Sequence, residues 1–176
     1  MKHFLIAVDI QKDFVNGALG TKEAVAMIPA AVEKLKSFDG EIFVTLDTHF
    51  ADYLQTAEGR KLPVPHCIKD TEGWQLDKAV AAALADREYT AVEKHTFGAK
   101  NLPELIERAA AGEDFDLEVI GLCTDICVIS NAMLVKAALP EVPVVVDAAC
   151  CAGVTPESHR NALAAMKVCQ IEIENE

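Results

Sequence analysis

The chain has 176 residues, of which 51% are hydrophobic and 25% charged, so it is long enough to bury one sizeable core and too apolar to be intrinsically disordered. Its net charge of −12 comes from 28 acidic and 16 basic residues, with no Lys/Arg cluster that could follow a phosphate backbone. Nucleic acid is therefore not an expected partner. The acidity is typical of a soluble surface rather than of a cation-binding or docking face.

The N-terminal segment contains one short apolar stretch, which Asp9 interrupts. That stretch is too short for a secretion signal or a membrane span, so we expect a cytoplasmic protein without membrane association. The six cysteines fall on predicted strands, a helix start and a loop. In a chain of this size they indicate reduced thiols rather than a disulfide framework.

Six apolar runs of strand length alternate with helical patterns along the chain. Because most of these runs are continuous, they indicate strands that are covered on both faces. The predicted strands are residues 4–9, 41–47, 89–94, 116–122, 142–147 and 168–173. The predicted helices are residues 28–38 (with Pro29 at the start), 76–85, 102–110, 125–139 and 156–166. This order predicts one α/β domain over residues 1–176, a doubly wound, mainly parallel six-stranded sheet between two helical layers.

Two connections, residues 10–27 and 48–74, are long for a compact domain. Long connections that stay ordered are usually functional, and both of these begin just after a predicted strand. Since open α/β sheets bind ligands at the carboxyl ends of their strands, we expect the site to be built from the residues that follow the first four strands.

Three polar residues lie at or just beyond the ends of apolar strands: Asp9, Lys94 and Cys127. A cysteine beside a cation and a carboxylate is a candidate nucleophile, because the cation lowers the thiol pKa and the carboxylate accepts its proton. Each residue also has a plainer interpretation: a buried small hydrophobe for Cys127, a loop cap for Asp9 and a solvated strand end for Lys94. The side chains of the other five cysteines lack such partners and are interpreted as inert.

The motif GLCTDIC places Cys127 in a strand-to-helix turn, where Thr124 or Asp125 could cap the following helix. Free backbone N–H groups and the positive end of the helix dipole would then favour a thiolate. The same N–H groups could hold an oxyanion.

A second group of polar residues, Asp47, His49, Glu58 and His66, begins at the end of the second strand and continues into the long connection after it. Two imidazoles and two carboxylates suit Zn²⁺, Mn²⁺ or Fe²⁺ better than Ca²⁺. The spacing is irregular, so a solvated polar loop remains the alternative to a metal site.

Together these segments resemble the isochorismatase-like cysteine hydrolases, a family that includes the nicotinamidases. The resemblance rests on four motifs and on the run from DAACCAGVTPESH to the C-terminus; the motifs are VDIQKDF (8–14), DTH (47–49), VEKHTF (92–97) and GLCTDICV (121–128). It implies that Asp9, Lys94 and Cys127 form a catalytic triad. It also implies a cis peptide bond between Leu122 and Cys123, with the N–H groups of Cys123 and Cys127 forming an oxyanion hole.

The nicotinamidase branch further implies a divalent metal, zinc before manganese or iron, held by Asp47, His49, Glu58 and His66, with the pyridine nitrogen of the substrate on the metal. Cys127 argues against true isochorismatases, which lack this nucleophile. The expected reaction is conversion of nicotinamide, a small-molecule amide, to nicotinate and ammonia. Family members are often homo-oligomers, and self-association is expected here.

One departure from the family pattern concerns the wall of the substrate site. Nicotinamidases usually carry an aromatic residue shortly before the last metal histidine, but this chain has KLPVPH at 61–66. Phe14, Phe97 and Trp74 are the candidates for an apolar wall, although each also suits a core position. Two alternatives therefore remain: a related cysteine hydrolase for another small amide, ureide or carbamoyl compound, and a non-catalytic ligand-binding protein.

Overall fold

The computed structural model describes residues 1–176 and contains one sheet of six parallel strands, in the order β3-β2-β1-β4-β5-β6. The strands are β1 (Lys2–Val8), β2 (Glu41–Asp47), β3 (Thr90–Lys94), β4 (Phe115–Leu122), β5 (Val144–Ala152) and β6 (Glu172–Glu174). The order reverses at β1, where the chain first builds outward through β2 and β3 and then returns to β4. The predicted doubly wound α/β class is confirmed.

Seven helices flank or connect the strands of this sheet. They are α1 (Lys12–Val15), α2 (Lys22–Ser37), α3 (Ala57–Lys61), α4 (Lys78–Leu84), α5 (Leu102–Ala110), α6 (Ile129–Ala138) and α7 (Pro156–Val168). Alternate residues of β1 enter two separate apolar cores: Phe4 and Ile6 pack with α5, α6 and α7, while Leu5 and Ala7 pack with α2 and α4. No helix is both long and apolar enough to cross a membrane.

The start of the first predicted helix, at residue 28, was wrong. Helix α2 begins at Lys22, with the Thr21 hydroxyl accepting a hydrogen bond from the Ala24 N–H, and Pro29 lies inside it. Two features specify the helix from Lys22 onward. One is the Thr21 cap, and the other is a buried face with residues three or four apart: Ala24, Met27, Ala31 and Leu35. A proline inside a helix is tolerated here because packing along that face outweighs one missing hydrogen bond.

Two strand boundaries near the C-terminus also differ from prediction. Helix α7 continues to Val168, so β6 starts only at Glu172 rather than at residue 168. Strand β5 continues to Ala152, five residues beyond the predicted end, after a register irregularity against β4 between Val119 and Gly121. This extension places Cys151 beside Gly121 and brings the β5–α7 corner close to the end of β4.

The two long connections are partly helical. Residues 10–27 contain α1 and the start of α2, and residues 48–74 contain a 3-10 turn (Tyr53–Gln55) and α3. Strand register then places the ends of the central strands at one edge, because Val8 is paired with both Thr45 and Gly121, and Asp47 is paired with Lys94. The residues that follow β1, β2, β3 and β4 therefore meet at that edge.

We expect the substitution Gly121→Ala to be strongly destabilising, because a Cβ at this position would lie 2.1 Å from the Val8 carbonyl oxygen and φ is +127°. Backbone strain and overpacking together should lower the free energy of unfolding by about 2–5 kcal/mol. Gly112→Ala is the matched control, since Gly112 also has positive φ (+83°) but no atom within 4 Å of its added Cβ. Urea unfolding with equal losses in both variants would show that the contact with Val8 is unimportant.

Candidate active site

Lys94 lies at the centre of a buried polar cluster formed by both groups of sequence-predicted residues. Its Nζ is 2.7 Å from Asp9 Oδ2, 3.5 Å from Cys127 Sγ and 3.0 Å from Asp47 Oδ1. Lys94 is 3% exposed and Asp9 is completely buried. The predicted convergence of Asp9, Lys94 and Cys127 is thus present, and Asp47 joins this cluster to the predicted metal ligands.

The carboxylate of Asp9 is oriented from the neighbouring strand β2. The Thr45 hydroxyl donates to Asp9 Oδ1 at 2.6 Å, and the Asp9 N–H donates to the Thr45 carbonyl at 3.2 Å. Asp9 itself has a positive φ of 48°, which turns the chain immediately after β1. One carboxylate oxygen is therefore fixed by Thr45, while the other lies against Lys94.

Burial determines the protonation of the two reactive groups. It raises the pKa of the Cys127 thiol well above its usual value, and the charge of Asp9 adds to this rise more than Lys94 opposes it. Burial also raises the pKa of Asp9, although Lys94 acts in the opposite direction. The raised pKa favours the neutral thiol over the thiolate that the helix start was expected to favour, so a base is needed to remove the proton.

Burial lowers the affinity of Lys94 for its proton, but its acidic neighbours, Asp9 first and then Asp47, raise the pKa of Lys94 overall. Burial likewise favours a neutral Asp47, but His49, His66 and Lys94 together lower the pKa of Asp47. The cluster therefore contains a fixed cation beside an ionised carboxylate. Asp9, whose pKa is raised, is the group in it best suited to exchange a proton.

Cys127 lies in a π-helical turn, Thr124–Val128, between β4 and α6. The peptide bond between Leu122 and Cys123 is cis, which confirms that prediction. No side chain caps this turn. The predicted capping by Thr124 or Asp125 was wrong, because Thr124 bonds to His159 and Asp125 accepts a hydrogen bond from the Val154 N–H.

The imidazoles of His49 and His66 converge on the carboxylates of Asp47 and Glu58. His49 Nε2 lies 3.0 Å from Asp47 Oδ2 and 3.5 Å from Glu58 Oε1, and His66 Nε2 lies 3.7 and 3.6 Å from the same two oxygens. One ligand atom from each of Asp47, His49 and His66 lies within 4.8 Å of the others. All four predicted ligands are therefore brought together.

This donor set fits a divalent metal ion. The Nδ1–H of His66 donates to the Val64 carbonyl at 2.8 Å, which leaves the lone pair of Nε2 directed at the other ligands. His49 Nε2 is buried and makes no hydrogen bond, which would be costly unless the atom coordinates a cation. Two nitrogens and two carboxylates are a ligand set for zinc, manganese or iron.

Backbone pairing explains how distant ligands meet. The His49 N–H donates to the Cys67 carbonyl and the Lys69 N–H donates to the His49 carbonyl. These bonds form a parallel bridge that brings the two ends of the connection, and with them His49 and His66, side by side. The buried Gln11 side chain accepts from the Asp47 N–H at 2.8 Å and donates to the Asp47 carbonyl at 2.9 Å. Gln11 therefore fixes the backbone of the ligand that bonds to Lys94.

We expect His66→Ala to lose bound metal, because it removes one of two converging imidazole nitrogens. Removing even a partner of a metal ligand costs about 10–100-fold in affinity, so loss of a ligand should cost at least that much. His95→Ala is the matched control, since His95 lines the same cavity but its Nδ1 bonds to the Thr48 carbonyl. Elemental analysis that found equal metal in the His66 variant and the wild type would exclude this site.

A cavity of about 700 Å³ opens between these two groups of residues. Cys127, Asp47, His49, Glu58 and His66 line it together with an apolar wall: Phe14, Leu19, Leu62, Phe97, Ile126 and Val154. The volume lies within the range of small-molecule sites. Cysteine, metal ligands and apolar wall therefore face one shared space.

Of the predicted aromatic walls, Phe14 and Phe97 line the cavity but Trp74 does not. Trp74 packs against the core formed with α2 and α4, and its indole N–H donates to the Thr48 hydroxyl at 2.9 Å. This partner satisfies the only polar atom of the indole, which explains its inward position. The structure thus removes Trp74 from the candidate substrate wall.

Sequence reasoning missed two buried polar residues that hold the site together, Gln11 and Asn131. The Asn131 amide donates to the Cys127 carbonyl at 2.8 Å and accepts from the Ala99 N–H at 2.9 Å, which joins the nucleophile turn to the loop after β3. The sequence signal for Asn131 is a polar residue within the apolar run CVISNAML. In the structure its side chain is fully buried and hydrogen-bonded. Pattern alone cannot distinguish such a residue from a solvated one.

Comparison with known proteins finds relatives for nearly the whole chain. A family model described as the isochorismatase domain matches residues 3–174. A relative from Bacillus subtilis (strain 168), described as an uncharacterized isochorismatase family protein PncA, is 32% identical over 143 residues, which cover 76% of this chain and 78% of the relative.

Two solved structures show the same fold. Nicotinamidase/pyrazinamidase PncA from Bacillus subtilis has a TM-score of 0.84 and 27% identity, with 99% of this chain and all of that chain covered. The pyrazinamidase of Pyrococcus horikoshii, solved in complex with zinc, has a TM-score of 0.81 and 22% identity, with both chains fully covered. At the latter identity the likeness concerns the fold alone.

Proposed function

The chain belongs to the isochorismatase family, and we propose that it is an amide hydrolase that converts nicotinamide to nicotinate and ammonia through a thioester on Cys127. The observation that carries this proposal is the position of Lys94 Nζ, which contacts Asp9, Cys127 and Asp47 in a buried cluster beside the cavity. A nucleophile, a base and a fixed cation within contact distance are the parts that acyl transfer requires.

The first half of the reaction forms the thioester. Asp9 takes the proton of the Cys127 thiol as the sulfur attacks the carboxamide carbon, because burial raises the pKa of that thiol. The N–H groups of Cys123 and Cys127 hold the oxyanion. Asp9 then gives the proton to the departing nitrogen, and ammonia leaves as the C–N bond breaks.

The second half of the reaction hydrolyses the thioester and regenerates the free Cys127 thiol. Asp9 takes a proton from water, whose oxygen attacks the thioester carbon, and the C–S bond breaks. The proton passes back to the sulfur, and nicotinate is released. Lys94 remains charged throughout and keeps the carboxylate of Asp9 next to the sulfur.

Asp47, His49, Glu58 and His66 would hold the divalent cation, for which zinc is our first candidate. When bound, the metal supplies a coordination site for the pyridine nitrogen and so orients the ring. The chain itself supplies the rest of the ring site, with Phe14 and Phe97 on the cavity wall. Phe14 also packs edge-on against His66, at 5.4 Å between ring centroids, which joins the wall to a metal ligand.

A second candidate function is hydrolysis of another small amide, ureide or carbamoyl compound by the same residues. The observation in its favour is the wall itself: Leu62 lines the cavity in the KLPVPH segment, where an aromatic residue is usual in nicotinamidases. Without that ring, stacking on a pyridine is weaker and the space suits substrates of other shapes.

Ammonia release from nicotinamide, with pyrazinamide and unrelated ureides and carbamoyl compounds alongside, distinguishes the candidates. Turnover of nicotinamide supports the first proposal, and turnover of a ureide or carbamoyl compound alone supports the second. A protein that binds these compounds without releasing ammonia would support the non-catalytic alternative. A cytoplasmic location and homo-oligomers remain predictions of the sequence.

A further inference from the structure

The turn that carries Cys127 is held in place by helix α7. Thr124, the first residue of the turn, is completely buried, and its hydroxyl lies 2.8 Å from His159 Nδ1. The next residue, Asp125, accepts hydrogen bonds from the Val154 N–H at 3.1 and 3.4 Å. No side chain caps the turn locally, so these two contacts anchor its first two residues, while Asn131 holds it at the Cys127 carbonyl.

The backbone of His159 is fixed by two contacts. Its backbone N–H donates to the Thr155 carbonyl within the first turn of α7, where Thr155 and Ser158 form a capping box. Gly153 approaches so closely that a Cβ there would lie 2.9 Å from the His159 backbone. The imidazole is therefore on a rigid support rather than on a mobile loop.

We propose that His159 is a positioning residue for the proposed hydrolysis, which sets the place of the Cys127 turn through its hydrogen bond to Thr124. This inference rests on the proposed function, because it assigns His159 a role in orienting that nucleophile. His159 does not line the cavity and therefore acts through Thr124 rather than on the substrate.

Burial favours a neutral His159 ring. Burial is the largest influence and lowers the pKa of His159, Arg160 lowers it further, and Asp125 and Glu176 act in the opposite direction. A neutral imidazole has one nitrogen that accepts and one that donates, so its Nδ1 can pair with a hydroxyl in either sense. The hydrogen bond is thus available at neutral pH.

Small displacements of this turn should affect catalysis more than binding. The turn carries both the sulfur and an oxyanion-hole N–H, whereas the metal ligands and the apolar wall lie mostly on other segments. A misplacement of about 1 Å can reduce a rate by about 10²-fold. Loss of the anchor should therefore lower kcat and leave KM nearly unchanged.

The test compares His159→Leu with His159→Asn at a temperature well below both unfolding midpoints. Asparagine can place a polar atom near the position of Nδ1, while leucine cannot. We expect His159→Leu to lower kcat by about 10–100-fold with KM within about 2-fold of wild type, and His159→Asn to recover most of that loss. An unchanged kcat in the leucine variant, or an asparagine variant no better than it, would overturn the proposal.

Thr124→Val and Thr124→Ser provide an independent pair if the leucine variant does not fold. Valine removes the hydroxyl with little change of shape, and we expect the kcat of Thr124→Val to fall while that of Thr124→Ser stays near wild type. The losses in His159→Leu and Thr124→Val should not add in the double variant, because both remove the same bond. Fully additive losses would contradict a shared contact.

Alkylation of Cys127 by iodoacetamide, followed by mass spectrometry of its peptide, tests positioning without any substrate. If the wild type hydrolyses none of the amides, the proposed function fails, but this rate still reports on the turn. The proposal requires that the alkylation rates of His159→Leu and Thr124→Val differ from wild type and that His159→Asn restores the wild-type rate. Identical rates in all variants would overturn it.

Discussion

The substitution Cys127→Ala should abolish amide hydrolysis, with a loss in kcat of about 10⁴-fold or more, the scale seen when a covalent nucleophile is removed. The proposed thioester forms on the Cys127 sulfur, which lies 3.5 Å from Lys94 Nζ at the cavity wall. Ammonia release measures the effect. The fold and metal content should be unchanged, because alanine leaves the metal ligands in place.

Cys169→Ala is the matched control for this variant. Cys169 follows the end of α7 and lines no part of the cavity, so its removal should leave turnover at the wild-type rate. Full activity in Cys127→Ala would exclude covalent catalysis at this residue. Loss of activity in both variants would point to a general effect of removing thiols.

Lys94→Met should lower both stability and activity. It leaves the carboxylates of Asp9 and Asp47 buried without their shared cation, and removing one partner of a buried ion pair costs about 3–5 kcal/mol. Since the folded-state pKa of Asp9 is already raised, and more so without Lys94, this loss should be largest at high pH. It should shrink as the pH falls through the folded-state pKa and Asp9 takes up a proton.

Urea unfolding across pH measures this effect, and Lys69→Met is its control. Lys69 pairs with Glu93 at 2.7 Å, but both side chains are solvent-exposed, so screening makes the pair weak. We expect only a small change in its unfolding midpoint. If Lys94→Met were as stable as Lys69→Met at neutral pH, Lys94 would not neutralise the two buried carboxylates.

Much of this site could be predicted because parallel strands end at a common edge. Asp9 and Lys94 lie directly at the ends of apolar strands. In open α/β sheets this is the edge where ligands bind, so charged residues at these positions indicate a functional site. Cys127 and the DTH motif were predicted to belong to the site for the same reason, because they lie at or just beyond the ends of the fourth and second strands. The family was also predicted correctly from these motifs.

The parts that sequence missed depend on contacts between distant segments. The pairing of Asp47 with Lys94 follows from the register of β2 against β3, which no local pattern specifies. The raised pKa of the Cys127 thiol follows mainly from burial, whereas the sequence showed only the helix start and the nearby cation. Trp74 hydrogen-bonds to Thr48, and Thr124 to His159. Both partners are distant in sequence, so no local pattern indicates these contacts.

Errors in the element boundaries have a similar origin. The start of α2 was misplaced because a proline usually marks the first turn of a helix, whereas here the Thr21 cap and a buried apolar face outweigh that preference. The last strand was predicted too early because residues 168–171 are apolar enough for either structure, and packing of Met166 on the core extends α7 instead.

The most direct measurement mixes the enzyme with nicotinamide, quenches in acid within milliseconds and determines the mass of the Cys127 peptide. We expect a transient gain of one nicotinoyl group on that peptide, formed as ammonia appears and lost as nicotinate accumulates. Steady release of ammonia while every cysteine peptide keeps its unmodified mass, at time points shorter than one turnover, would contradict it.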